Sequence, residues 1–430
     1  MFELDDHPAL YRGWRAGLLR TRTGQPHRVL ANAMHALRSA PVWSGVIRYN
    51  EFALQVVADG RLPWAKDAPT HDLAWTDHQD SLTAEWLQRE GIHVGPDVAG
   101  QAVEAIARDA PFHPVRDYLS RICWDGVPRL DAWLSTYLGV ADTPYARAVG
   151  SRWMISAVAR VFMPGAKADC VLILEGPQGI KKSTALSVLG GPWFADRLSD
   201  LTSKDAAMET AGAWIIEIAE LDSMSRAEVS TVKAFVSRTH DRFRPPYARR
   251  LTEHARQCVF AGSVNPEGGY LKDATGARRF WPVRCQVIDV ARLAQDRDQL
   301  WAEATARFRA GEPWWLDSAE LNHAATEEQA ERYQEDAWEG PISEYLNNQV
   351  TFVNAGFAEP VRRLSPRSVP LNEVGVDQLL KEALGIPPDR WTQRDQNRVA
   401  RCLVALGFER FRPRGPAGSR QRKYRRRSPG

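Results

Sequence analysis

The chain has 430 residues, too many for one ordinary domain, and this length argues for two or three. Hydrophobic residues make up 44% and charged residues 25%, which excludes global disorder; no apolar run approaches the ~18 residues of a membrane span. The net charge of +3 hides an asymmetry: nine Lys or Arg and no acid lie between Arg410 and Arg427, leaving −6 for residues 1–409, so the tail suits a nucleic-acid partner.

Residues 1–110 alternate helical patches (ALYRGWRAGLL, HRVLANAMHALRS, TAEWLQREGI) with the strand-like SGVIRYNEFALQVV, and predict a mixed, mainly helical domain. The opening MFELDDHPAL is acidic and lacks an apolar core, so no secretory signal is expected. Residues 111–165 place apolar residues at helical spacing around a WDG turn. An amphipathic helix, Tyr145–Phe162, follows and stops at Met163-Pro164-Gly165, so the segment is expected to form a helical collar. From 166 to 290 short apolar runs (CVLILEG, AWIIEIAE, QCVFAGSVN, RRFWPVRC) alternate with helical segments. That pattern predicts an α/β core with a central parallel sheet buried on both faces.

Residues 291–350 read as a helical extension, and 351–370, rich in proline and glycine, as a linker. The final segment, 371–430, holds two helices, Val376–Leu384 and Arg394–Leu406, with Thr392 near an N-cap position and Gly407 as C-cap. An Arg-rich segment with a Gly-Pro-Ala-Gly turn comes next, the outline of a winged helix with a basic tail. The cysteines (Cys123, Cys170, Cys258, Cys285, Cys402) stand singly without any CxxC. They predict neither a disulfide framework nor a zinc site, and fit a reducing cytoplasm.

The strongest chemical signal is VLILEGPQGIKKSTALSVL, in which an apolar strand (Val171–Leu174) runs through a Gly-rich turn into a helix beginning near Lys182. Against G-x-x-x-x-G-K-[ST], Gly176, Lys182 and Ser183 match, while Lys181 replaces the second glycine and Gly179 sits two positions earlier. The candidate loop comprises Gly176, Pro177, Gln178, Gly179, Ile180, Lys181, Lys182, Ser183 and Thr184. Its backbone N–H groups and the positive helix end would bind phosphates. Lys182 would neutralise the β/γ charge and the Ser183 hydroxyl would coordinate Mg²⁺. Lysine in a first helical turn opposes the helix dipole, so structure alone gives poor reason for two of them. Lys181 is expected to point outward.

About thirty residues on, AWIIEIAELD carries Glu217 and Glu220, candidates for holding the metal and polarising an attacking water. Strict alternation would point them to opposite faces. Glu220, at the strand's C-terminal end, is the favoured metal ligand, while Glu217 also reads as a salt-bridge residue. Asn265, which ends the strand in CVFAGSVNPEGG, could bond a phosphate or the lytic water. Arg278 and Arg279, in DATGARRFWPV, could stabilise charge on the transferring phosphate of a neighbouring subunit. Between the acids and Asn265, RTHDRFRPPYARR interleaves Arg242, Arg244, Arg249 and Arg250 with Phe243 and Tyr247. Cations for phosphates beside aromatics for stacking suit single-stranded DNA.

In this order the motifs GPQGIKKST, WIIEIAELD, DRFRPPYARR, FAGSVNP and DATGARRFWPV resemble the virulence-associated protein E family of phages and mobile islands. Its core is similar to a superfamily 3 helicase of the AAA+ class. FHPVRDYLSRICWDGVPRLDAWL upstream and DQLWAEATARFRAGEPWWL downstream extend the resemblance over nearly the whole chain. The resemblance implies a P-loop AAA+ core with ATP and Mg²⁺ as cofactors. Lys182 and Ser183 would be the Walker A pair, Glu220 with Glu217 the Walker B acids, and Asn265 the sensor. One of Arg278 and Arg279 would be the finger, and the stretch Arg242–Arg250 would face a pore. Relatives carry a primase module, but residues 1–110 hold no acidic triad or zinc knuckle, so a primase would be a separate partner.

The expected function is therefore an ATP-dependent replicative DNA helicase of phage or mobile-element type, in the bacterial host cytoplasm. It would act as a hexameric ring on single-stranded DNA, with Arg422, Lys423 and Arg425 of the tail holding duplex DNA. The alternatives are a non-motor, nucleotide-gated DNA-binding initiator or repressor, and a P-loop small-molecule kinase. A kinase needs neither the basic aromatic stretch nor the arginine tail.

Overall fold

A computed structural model describes the chain except residues 1–12, 68–72, 197–200, 202–204, 220–225, 245–249, 266–270, 272–276, 334–335, 354–360, 367–369, 412–421 and 428–430. The chain divides into two units, Met1–Asn265 with Arg278–Ala325, and Pro266–Ala277 with Thr326–Gly430.

The first unit opens with α1 (Leu30–Ser39), β1 (Ile47–Asn50), β2 (Gln55–Ala58), β3 (Leu73–Ala74), α2 (Asp77–Arg89), α3 (Pro96–Arg108) and β4 (Pro111–Phe112). The strand-like stretch of the sequence forms the antiparallel pair β1–β2 within a sheet of order β3-β2-β1-β4. A Thr76–Gln79 capping box starts α2, and Pro96 in the first turn starts α3. The apolar faces of the three helices close over the sheet around Trp14, Trp43 and Leu37.

Next come α4 (Pro114–Arg121), α5 (Trp133–Leu138), α6 (Pro144–Phe162), β5 (Val171–Glu175), α7 (Lys182–Gly190), β6 (Phe194–Ala195) and α8 (Asp205–Glu209). They are followed by β7 (Ile215–Ala219), α9 (Arg226–Val236), β8 (His240–Phe243), β9 (Thr252–Ala255), β10 (Val259–Val264), β11 (Phe280–Arg284) and α10 (Val290–Arg309). The apolar runs build one all-parallel sheet of order β11-β5-β10-β7-β6. Every residue of β5 is buried, as continuous apolar strands covered on both faces require.

Helix α6 departs from the amphipathic expectation, because 14 of its 19 residues are buried. Its Ala, Val and Ile side chains are apolar all round, and it packs between the sheet and helices α5 and α10. Two indole donors tie it to the strands: Trp153 Nε1 to the Phe260 carbonyl at 2.9 Å, and Trp214 Nε1 to the Ala157 carbonyl at 3.0 Å. Residues 111–165 thus belong to the core of the parallel sheet, with Val115, Trp133 and Trp153 sharing one cluster with Leu172 and Leu174.

After α11 (Ala319–Glu331), the second unit comprises α12 (Glu339–Asn347), β12 (Asn348–Val353), β13 (Val361–Pro366), β14 (Glu373–Gly375), α13 (Val376–Gln378), α14 (Gln393–Ala405), β15 (Phe408–Phe411) and β16 (Lys423–Arg426). Where a linker is expected, β12 and β13 pair antiparallel over six residues each. Alternating residues such as those of NQVTFV satisfy a strand even between glycines and prolines. Helix α13 runs on as a π-helical turn, Leu379–Ala383, and α14 starts at a Thr392–Asp395 capping box. Gly407, at φ +83°, ends α14 in the left-handed conformation expected of that position. The strands form an antiparallel sheet, β14-β16-β15, closed over Leu379, Leu380, Val399, Leu403 and Phe408. Among the described residues no helix is long and apolar enough to cross a membrane.

Candidate functional site

Strand β5 has β10 and β11 as neighbours, while the next strand in sequence, β6, lies at the far edge of the sheet. The carboxyl end of β5 is therefore a topological switch point, where open parallel sheets hold ligands. The loop Gly176–Lys181 and the first turn of α7 occupy that position. Gly176, at φ +154°, admits no side chain: a Cβ there would lie 2.5 Å from Ile180 Cδ1 and 3.0 Å from the Cys285 carbonyl oxygen. Gly179 takes φ +85°. Lys181 takes φ +73° and ψ 32°, the left-handed conformation that glycine provides elsewhere. Its side chain is exposed, as are Pro177, Gln178, Ser183 and Thr184; Ile180 is half-buried.

Lys182 is 7% exposed and turns back over the loop. Its Nζ donates to the carbonyl oxygens of Gly176 and Pro177 at 2.6 and 3.0 Å, and to Asn265 Oδ1 at 2.7 Å. Ser183 Oγ donates to Glu217 Oε1 at 2.8 Å. Register explains the convergence. Val264 pairs with Glu175, so Asn265 leaves β10 beside the start of the loop, and Ala261 pairs with Glu217 on the neighbouring strand. Glu217 is 3% exposed and reaches the loop; Glu220 lies outside the described residues.

Two further groups were not singled out by the motif. Glu175, 1% exposed, ends β5 immediately before the loop. Burial pushes the Cys285 thiol up to about 12, with Lys182 pulling in the opposite direction. The thiol therefore stays neutral and leaves the lysine's charge to other partners. A buried cation, a strand-end amide, a hydroxyl–carboxylate pair and a helix N-terminus together fit a polyphosphate with a divalent cation.

The two arginines after residue 277 differ. Arg279 Nε donates to Ser237 Oγ at 2.8 Å and lies 3.5 Å from Asp169. Arg278 is exposed and makes no side-chain bond among the described residues.

The basic stretch forms a hairpin, with β8 and β9 paired from His240↔Ala255 to Phe243↔Thr252. Alternation sends Arg242 and Arg244 to the exposed face and Asp241 and Phe243 inward. Arg250 is exposed, whereas Tyr247 and Arg249 lie outside the described residues. Phe243, expected as a stacking aromatic, is 7% exposed and packs on His254 with ring centroids 4.6 Å apart. It sits on the inward side of a two-sided hairpin, together with Asp241. In the second unit, Arg422 donates to Asn397 Oδ1 at 2.7 Å and Arg425 pairs with Glu409 at 2.7 Å. Lys423 is half-buried, and Arg426 and Arg427 are exposed.

The model of the virulence-associated protein E-like domain matches residues 119–335, just over half of the chain, which therefore belongs to that family. Among solved structures it is similar to the apo structure of the NrS-1 C-terminal region, at 10% identity and a TM-score of 0.44, over 70% of this chain and 74% of that one. A second apo form of that region aligns at 12% identity and a TM-score of 0.43, over 92% and 99% of the two chains. No curated protein matches the chain.

Proposed function

We propose that this member of the family is an ATP-driven replicative DNA helicase of phage or mobile-element type, with a P-loop AAA+ core and a winged-helix end. The observation that carries the reading is the meeting of Lys182 and Ser183, which follow β5, with Glu217 within β7 and Asn265 at the end of β10, on three adjacent strands. In this reading the loop N–H groups and Lys182 hold the phosphates. Ser183 Oγ and the Glu217 carboxylate are the pair to hold Mg²⁺, which when bound neutralises charge on the transferring phosphate. Asn265 exchanges its bond to Lys182 for one to the terminal phosphate or the attacking water. Arg278, exposed and without a side-chain bond among the described residues, acts as the finger toward a neighbouring subunit, whereas Arg279 holds Ser237 and Asp169. The ring of subunits, six in number, threads one DNA strand past Arg242 and Arg244 on the open face of the hairpin.

Steady-state ATP hydrolysis with and without single-stranded DNA tests the reading. Wild type should turn over ATP faster with DNA, and Lys182→Ala should lower that turnover by about 100-fold or more, the scale of losing a group that stabilises the transition state. Binding without turnover, with or without DNA, would overturn the motor and leave a nucleotide-gated DNA-binding protein. One feature favours turnover over that second reading: hydroxyl, acid, amide and an exposed arginine are all present, where a site that only binds needs no finger.

A further inference from the structure

The root of the basic hairpin is built around one buried ion pair that the motif chemistry does not use. The Arg256 side chain is 0% exposed and that of Asp241 is 2% exposed. Arg256 Nε and Nη2 donate to the two Asp241 carboxylate oxygens at 2.7 and 2.6 Å, a bidentate fork. The third arm, Nη1, donates to the Phe235 carbonyl at 2.6 Å, near the end of α9. The guanidinium lies over the rings of Phe235 and Phe260 at 4.5 and 5.5 Å, and Phe260 belongs to β10. The backbone of the same residue is held on both sides. Its N–H donates to the Thr239 carbonyl at 2.8 Å, and its carbonyl accepts from the Gly165 N–H at 2.9 Å. The next residue, Gln257, shares a 2.7 Å hydrogen bond through Oε1 with His113 Nε2.

One residue therefore joins the first hairpin strand, the end of α9, strand β10 and the segment after α6. A buried ion pair is weak evidence for stability, because apolar residues of similar volume often serve as well. What a bidentate fork adds is a fixed orientation. Three residues beyond Arg256 begins β10, whose far end carries Asn265 and its bond to Lys182. A strand paired on both sides transmits displacement along its length without bending much.

We infer that Asp241 and Arg256 are positioning residues that lock the hairpin to β10, so that a change at Asn265 reaches Arg242 and Arg244 as the motion of one rigid piece. The inference rests on the motor reading above for its output, and on the lock alone for its geometry.

The test uses the full chain with Asp241→Asn and, separately, Arg256→Lys, which keeps the charge and removes the fork. Basal ATP hydrolysis and the affinity for a fluorescent single-stranded oligonucleotide should each stay within about twofold of wild type, as for distant sites. Stimulation of hydrolysis by the oligonucleotide should fall by about tenfold, the scale of coupling between sites. Full stimulation in both variants overturns the lock. So does a proportional loss of basal and stimulated rates, which marks general damage only.

Hydrogen exchange on the wild-type chain reads the same inference without a variant. The amides of Arg256 and Gly165 should stay protected with and without the oligonucleotide and a non-hydrolysable ATP analogue. Their opening on DNA binding would make the root a hinge and overturn the lock. A wild type without turnover sinks the motor reading, and exchange then still decides whether the root is rigid.

Discussion

Lys181 holds a left-handed backbone that costs a residue with a Cβ about 1–2 kcal/mol, and it does so at the mouth of the loop with its side chain exposed. Lys181→Gly should relieve that strain, while the freer unfolded chain takes back roughly 0.4–1 kcal/mol. A net gain of about 0.5–1 kcal/mol should appear in urea unfolding of the two forms. An unchanged midpoint would mean that the lysine's strain is offset by contacts of its long side chain. The departure from the glycine pattern was visible in the string GPQGIKKST; its conformational meaning was not, since one residue type cannot reveal its own φ. Lys182 and Ser183 were legible for the opposite reason. A lysine and a hydroxyl at fixed spacing after a strand have few purely structural reasons to be there. The contact of Glu217 with Ser183 was not legible from alternation alone, because it depends on the parallel register against β10; Glu220 lies outside the described residues.

His113 opens α4 by accepting the Arg116 N–H at its Nδ1, 3.1 Å away, and uses Nε2 toward Gln257. The neutral ring suits both roles, with Nδ1 as acceptor and Nε2–H as donor to the amide oxygen. A second proton would sit on Nδ1, against the N–H it caps. Burial lowers its pKa below the usual 6.5, with the bond to Gln257 pulling the other way. The unfolded chain thus takes up a proton that the folded one resists. Stability from this group is complete above about 6.5 and shrinks as pH falls through that value. Thermal unfolding of wild type from pH 7.5 to 5.5 should show this loss, and His113→Asn, which keeps a capping side chain, should show less of it. Equal slopes for the two forms would assign the acid sensitivity elsewhere. Four of the five strands of the parallel sheet were legible as elements because continuous apolar runs leave few alternatives, whereas the two-residue edge strand β6 has no such run. The pair β12–β13 was not, because glycine and proline on either side outweigh six alternating residues in composition.

On the scale of the whole molecule, a net acidic body (residues 1–409) carrying a basic hairpin and followed by a basic tail predicts two separable DNA affinities. Arg242→Glu with Arg244→Glu should weaken single-stranded DNA and lower its salt slope by about 0.7 per lost phosphate contact. Lys423, Arg426 and Arg427 to Ala should act on duplex DNA, by about 0.9 per contact. Fluorescence titrations at several salt concentrations check both, and equal effects of either set on either DNA would merge the two surfaces into one. The tail's charge was plain in the sequence, but Arg425 and Arg422 already have partners in Glu409 and Asn397. The lock at the hairpin root was hidden, because fifteen residues separate Asp241 from Arg256 and a fully buried arginine is uncommon. Lys182, finally, has three N–H bonds to give, and among the described residues three protein oxygens accept from it. Any anion that engages it must displace one of those oxygens, so binding here is an exchange rather than an addition. Such a site ignores ligands too weakly charged to compete, and when Asn265 is the partner displaced, arrival of the ligand is recorded at the end of β10 in the same event.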